Sequence, residues 1–253
     1  MKKSFSNNEF EYFENAPIIL SILQFRYKLI ENFDNQSIKK RSASLSSEYP
    51  EIKERFIQKI HFGSKKPEGI TNVSSDDRVI DGVQFISKSK KKILVIGKDR
   101  FTFEMHGEYE GWDSFSTEAK MLWNLFQNEL SGVILTGISL RYVNRINLPT
   151  DLTDLSKYFT TFIQSSSGEH IINNFQLKYA STEPDNNLTI HVGHVLESPI
   201  GENYPYLFDI DIIYLSELQN EEDIIWSKFE MLRNKKNFIF NDGLTETTKK
   251  IIR

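Results

Sequence analysis

Asp209 and Asp211 lie two apart in the run LFDIDIIY. On a strand both carboxylates point to one face, with Phe208, Ile210 and Ile212 on the other. Paired carboxylates can hold a divalent cation or share a proton. The structural alternative is an ion pair on a polar sheet face. His191 and His194 sit three apart in LTIHVGHVLE. They face opposite ways on a strand and cannot serve one metal as an i, i+4 helical pair can. A hairpin centred near Gly201 predicts His191 opposite Asp211 and Gly193 opposite Asp209. Asp209, Asp211 and His191 are therefore the candidate catalytic residues. In GISLRYVNRINLP, Arg141, Val143 and Arg145 share one face. Guanidinium forks suit carboxylates and phosphates, so Arg141 and Arg145 are the candidate anion-binding pair. Their simplest partners are Asp209 and Asp211, which predicts the two arginines facing the aspartate strand. Tyr109, Trp112 and Phe115 surround a helix start. Such a cluster is either a hydrophobic anchor or a stacking platform, and Tyr109 and Trp112 are the candidate partner-binding residues.

Several chemistries lack their starting residues. There is no G-x-G-x-x-G after a strand, no G-x-x-x-x-G-K-[ST], no H-E-x-x-H and no G-x-S-x-G. The absence of cysteine removes disulfides, thiol nucleophiles and thiolate metal sites. Glu118-Ala119-Lys120 imitates a nuclease E-x-K, but on a helix its two charges point apart. The eight-stranded triphosphate tunnels keep an acidic first strand, whereas the first strand here is apolar. No metal site and no cofactor is predicted.

The elements that position these residues follow from periodicity. Ile18–Tyr27 reads as a buried strand, and 35–47 as a polar loop. Tyr49-Pro50-Glu51 reads as a helix start, with Ile52, Phe56 and Ile60 at helical spacing. The polar stretch Gly63–Gly82 reads as a long, mobile loop. Three short strands follow at 82–87, 92–97 and 100–105, the first two joined by a tip at 88–91. Asp113 can cap the next helix, whose stripe is Phe115, Ala119, Leu122, Phe126 and Leu130. Gly137–Leu148 is a strand ended by Pro149. Leu152, Leu155 and Phe159 suggest a short helix, and 165–170 a loop. Strands at 175–180, 188–195 and 207–215 precede a helix at 221–233, a turn at 241–243 and a terminal helix.

The element order repeats, and EAKMLWN (118–124) and KFEMLRN (228–234) match at an offset of 110 residues. The prediction is an α+β fold: antiparallel sheets with helices on one side, built as a pseudo-duplicated βαβββα unit. It is one body of two halves, residues 1–130 and 131–253.

Composition bounds the function classes. The 253 residues include 19 Phe, 10 Tyr and 3 Trp, too many aromatics for a disordered chain. No apolar run approaches the length of a membrane-spanning helix, and MKKSFSNNEF lacks the apolar core of a secretory signal. A cytoplasmic location is expected. The net charge of −4 argues against a dedicated non-specific nucleic-acid binder. The first half is close to neutral and the second half acidic. Lysine and arginine clusters at 39–41, 65–66, 88–92 and 98–100 are solvated tips or an anionic partner surface.

A family resemblance spans nearly the whole chain. It is carried by Asn15-Ala16-Pro17-Ile18, Tyr49-Pro50, Asp99-Arg100-Phe101, Tyr109-x-Gly111-Trp112-x-x-Phe115, Leu140-Arg141-Tyr142-Val143-Asn144-Arg145-Ile146 and Asp209-Ile210-Asp211. Together these resemble a sporadically distributed family of uncharacterised bacterial and archaeal proteins of about this length. Members often carry an acid soon after the Ala-Pro-Ile, where this chain has Ile19, Leu20 and Ser21. The resemblance implies no activity and no catalytic residue. Its sporadic occurrence fits accessory genes of mobile or phage-defence islands. Two function classes remain. One is a non-catalytic cytosolic interaction or accessory protein with a separately encoded protein partner. The other is a metal- or anion-dependent hydrolase or nuclease using Asp209, Asp211, His191, Arg141 and Arg145. Convergence of those side chains in one solvent-reachable pocket with an ordered ion favours the enzyme, whereas salt bridges on an exposed or packed face favour the interaction protein.

Overall fold

The structure, a computed structural model, describes residues 13, 16–58, 78–127, 129–130, 132–149, 152, 154–164 and 172–253. Its strands are β1 (Ile18–Tyr27), β2 (Glu51–Gln58), β3 (Arg78–Ile86), β4 (Lys92–Gly97), β5 (Arg100–His106), β6 (Leu135–Pro149), β7 (Phe175–Glu183), β8 (Leu188–Leu196) and β9 (Asn203–Leu218). Its helices are α1 (Asn35–Arg41), α2 (Trp112–Phe126), α3 (Glu222–Gly243) and α4 (Glu246–Ile252). All nine described strands join one antiparallel sheet in the order β2-β3-β4-β5-β1-β6-β9-β8-β7. The fold is therefore mixed α+β.

Strand alternation sorts the side chains into two sets. Leu23 and Phe25 on β1, Phe101 and Phe103 on β5, Ile138 and Leu140 on β6 and Ile210 and Ile212 on β9 are all fully buried. Register aligns them, with Leu23 opposite both Phe103 and Leu140, and Leu140 opposite Ile212. Trp123 of α2 stacks on Phe25 at 4.0 Å, and Phe115 stacks on Phe103 at 5.3 Å. From α3, Phe229 meets Phe25 edge-on at 5.2 Å and Phe240 stacks on Phe208 at 5.8 Å. Burying each such side chain is worth about 1.5–3 kcal/mol, so these contacts tie both long helices to the sheet. The alternate set is polar: Gln24 and Arg26, Thr102 and Glu104, Ser139 and Arg141, Asp209 and Asp211.

The stripe Phe115, Ala119, Leu122 and Phe126 is buried as expected, whereas Leu130 is buried but lies beyond the end of α2, which stops at Phe126. The helix start differs in detail. Gly111 is the cap residue, at φ 105°, a conformation that favours glycine. Asp113 lies in the first turn instead, where its charge suits the positive end of the helix dipole.

Several expectations fail. Residues 35–47 are not a loop: α1 and a short 3₁₀ turn (Ser42–Leu45) occupy them. The Asp34 carboxylate starts α1 by accepting from the backbone N–H of Gln36 (2.9 Å) and Ser37 (3.2 Å). The chain after Pro50 is not a helix but strand β2, paired with β3 from Glu51↔Ile86 onward. Ile60 lies outside the described residues. So do 63–77 of the expected loop and the loop at 165–170, while Arg78–Gly82 already belong to β3. In the second half α3 runs on to Gly243, so the expected turn there is its last helical turn.

Candidate functional site

Strands β6, β9, β8 and β7 lie side by side at one end of the sheet order and bring the candidate residues together. The β8–β9 register pairs His191 with Asp211 and Gly193 with Asp209, as the hairpin near Gly201 predicts. On the far side of β9, Arg141 is opposite Asp211 and Val143 is opposite Asp209. On β7, Ala180 is opposite His191 and Lys178 opposite Gly193. Arg141, Lys178, Ala180, His191, Asp209 and Asp211 line one open cleft of about 380 Å³. Gly193 has no side chain to fill it, and a Cβ there would come within 3.3 Å of the Asp209 Cβ.

Arg141 does not pair with its rung partner. Its Nε donates to Asp209 Oδ1 at 2.8 Å and its Nη2 to Asp209 Oδ2 at 2.6 Å, a two-pronged salt bridge. That bond holds the guanidinium charged beyond its ordinary strength. Asp211 is left without this partner. Its Oδ1 is buried and makes no hydrogen bond among the described residues. Burial raises its carboxyl above the usual aspartate range, outweighing the pull of Arg141, His191 and Arg26. One wall of the cleft thus holds a satisfied ion pair, and the next rung holds an unsatisfied carboxyl beside an exposed histidine.

Arg145 does not join the aspartates, contrary to expectation. It lies opposite Leu207, and its Nη2 reaches Glu197 at 3.4 Å in an exposed pair. The two histidines separate as their spacing requires. His194 is 1% exposed and its Nδ1 is 2.8 Å from the Tyr206 hydroxyl. Burial pushes it down to about 4, so it is neutral at ordinary pH.

Tyr109 and Trp112 make internal contacts. Trp112 is 7% exposed and its indole N–H donates to the Glu230 carboxylate of α3. The Tyr109 hydroxyl is 2.9 Å from that of Tyr142, and burial pushes it up to about 12. Both rings anchor the start of α2 to β6 and α3. Glu118 and Lys120 point apart as expected: Glu118 meets Lys92 and Tyr49, while Lys120 meets Glu222.

Sequence reasoning missed two features here. Lys178 was reachable, because the turn at Asn187 fixes the β7–β8 register that sets it beside Gly193. Lys236 was not, because it lies in the part of α3 beyond the expected helix end. Its ammonium sits 4.2 Å over the Tyr142 ring in the interior. Among the described residues, no group of three or more His, Asp or Glu side chains could hold a metal ion. None of their helices is long and apolar enough to cross a membrane. Comparison with protein-family models gives no match, and neither does comparison with curated proteins.

Proposed function

We propose that this is a cytosolic, non-catalytic interaction protein that meets a separately encoded protein partner through the polar side of its sheet. The observation that carries the proposal is the Arg141–Asp209 salt bridge. It commits to each other an acid and an arginine that a hydrolytic centre would need. The cleft beside it offers His191, Lys178 and the unsatisfied Asp211 as contact points. The resemblance to the sporadically distributed family extends the proposal to an accessory role in a mobile-element or phage-defence system.

The proposal includes an architecture in which all helices cover one side of the sheet and two βαβββα units are related across the β1–β6 pair. Outward from that pair the order is β5, β4, β3 on one side and β9, β8, β7 on the other, which supports it. So do the helix starts, Trp112 in α2 and Glu222 in α3, which keep the 110-residue offset. The same offset relates the buried positions Phe115, Ala119, Leu122 and Phe126 to Ile225, Phe229, Leu232 and Lys236. Strand β2 has no counterpart in the second half.

One observation favours a second reading, acid–base hydrolysis: the raised Asp211 carboxyl lies opposite exposed His191 in a solvent-reachable cleft. A single set of variants tests both. Tagged wild type should capture a defined protein from the native host. Lys178→Glu and Asp211→Asn should lose that protein while melting normally. Turnover of phosphodiester or ester substrates by wild type, abolished in Asp211→Asn, would instead establish the second reading.

A further inference from the structure

The two edge strands among the described residues are built differently. Edge strand β2 carries Glu51, Lys53, Glu54 and Arg55 in close succession, and its register breaks between Arg55 and Phe56. Charges and bulges of this kind keep an edge from accepting another strand. Edge strand β7 has no bulge and fewer charges. Its pairing with β8 runs unbroken over nine rungs, from Phe175↔Leu196 to Glu183↔Leu188. Its sequence FQLKYASTE has no proline or glycine, and only Lys178 and Glu183 are charged. Glu183 is already held by Lys235 of α3 and by Asn186. Gln176 and Lys178–Thr182 are exposed, and Tyr179 is 42% exposed. Among the described residues no strand lies outside β7.

We infer that β7 pairs antiparallel with the β7 of a second copy of this chain, joining two sheets into one. Self-complementarity selects this occupant. The register that uses all nine residues is centred on Tyr179. It sets Lys178 against Ala180 and Glu183 against Phe175, so no charge lies directly opposite its like. The two Tyr179 side chains face each other on the two-fold axis, an aromatic cross-strand pair of the stabilising kind. Centring on Lys178 instead would oppose two lysines. A C2 contact also closes on itself, giving a dimer rather than a fibre. Ala180 shares a rung with His191 and Asp211, so Lys178 of the second copy would enter the row that lines the cleft. The inference goes beyond the partner reading and does not depend on it.

Sedimentation and light scattering on the full chain test it. Wild type should have the mass of a dimer. Tyr179→Lys and Tyr179→Glu, each setting like charges face to face on the axis, should each weaken self-association about tenfold or more. Both variants should melt like the wild-type fold. An equimolar mixture of the two should restore a dimer, because opposite charges then meet. A wild type that stays monomeric at all concentrations overturns the inference and leaves the edge to an extended segment of another protein. A dimer that survives both substitutions, or a mixture that fails to re-form one, overturns it too. Loss of partner capture without a change in mass would bear on the cleft alone.

Discussion

His191 and His194 sit three residues apart on β8 and live in opposite surroundings. His191 is exposed, opposite Asp211 and beside the Arg141–Asp209 pair. His194 is sealed among Tyr206, Phe208 and Tyr179, and burial keeps it neutral. Lys236 faces the same interior as His194, and there burial first, then Arg233, pushes the amine down to about 7. One side of the sheet suppresses charge, whereas the other keeps the Arg141 and Asp209 charges by pairing them and leaves Asp211 unpaired. A titratable residue type in a strand therefore says little until its side of the sheet is known. That is why two histidines in one decapeptide have different chemical prospects.

The largest expected effect is on the side that suppresses charge. Leu122 is fully buried in the stripe of α2. Leu122→Ala should cost about 2–5 kcal/mol in denaturant unfolding. An unchanged midpoint would mean that the helix is not tied to the sheet.

Next comes Lys236. Below pH near 7 its amine is charged in both folded and unfolded chains, and the folded state bears the full penalty of burial. As pH rises from there toward the ordinary lysine range, only the unfolded chain keeps the proton, so stability should rise. Lys236→Met should flatten that rise and stabilise the protein at neutral pH by roughly 1–4 kcal/mol, less whatever the contact with the Tyr142 ring contributes. Thermal unfolding of both proteins across the range checks the sign, and a steeper slope in the variant would contradict it.

The smallest effect belongs to the charge-keeping side. The Arg141 side chain is 39% exposed and that of Asp209 20%. Solvent screening limits the pair to about 1 kcal/mol despite its two-pronged geometry. In a double-mutant cycle of Arg141→Gln and Asp209→Asn, the double variant should cost less than the two singles together. The same cycle with Asp211→Asn should show weaker coupling, because Arg141 bonds to Asp209 and not to Asp211.

Much of this arrangement was legible in the sequence. Strand alternation and one turn position sufficed for the His191–Asp211 rung, and the spacing of Phe115, Ala119, Leu122 and Phe126 sufficed for α2. Two elements were not legible. Ile52 and Phe56 are four apart, a spacing that fits one face of a helix and equally one face of a strand. Both prove to be exposed on an edge, at 42% and 50%, so burial did not decide between the periods. In α1 only Ile38 is buried, so that helix has no stripe to reveal it, and its one signal is the cap at Asp34. The choice of Asp209 over Asp211 by Arg141 was equally hidden. Register predicts which backbones are opposite, but a long side chain can lean to the next rung.

Strand β1 is paired on one side with β5 and on the other with β6, so that Leu23 meets both Phe103 and Leu140. This seam has a consequence during synthesis. As the chain leaves the ribosome, the first five strands can assemble while the outer edge of β1 remains bare, its backbone N–H and C=O groups unpaired. It stays bare until residues 135–149 arrive to cover it. A ribosome that pauses between α2 and β6 therefore holds a nascent sheet at its stickiest, and fragments cut in that interval inherit the same raw edge. The arrival of β6, Leu135–Pro149, is then the step expected to decide whether the nascent sheet folds or aggregates.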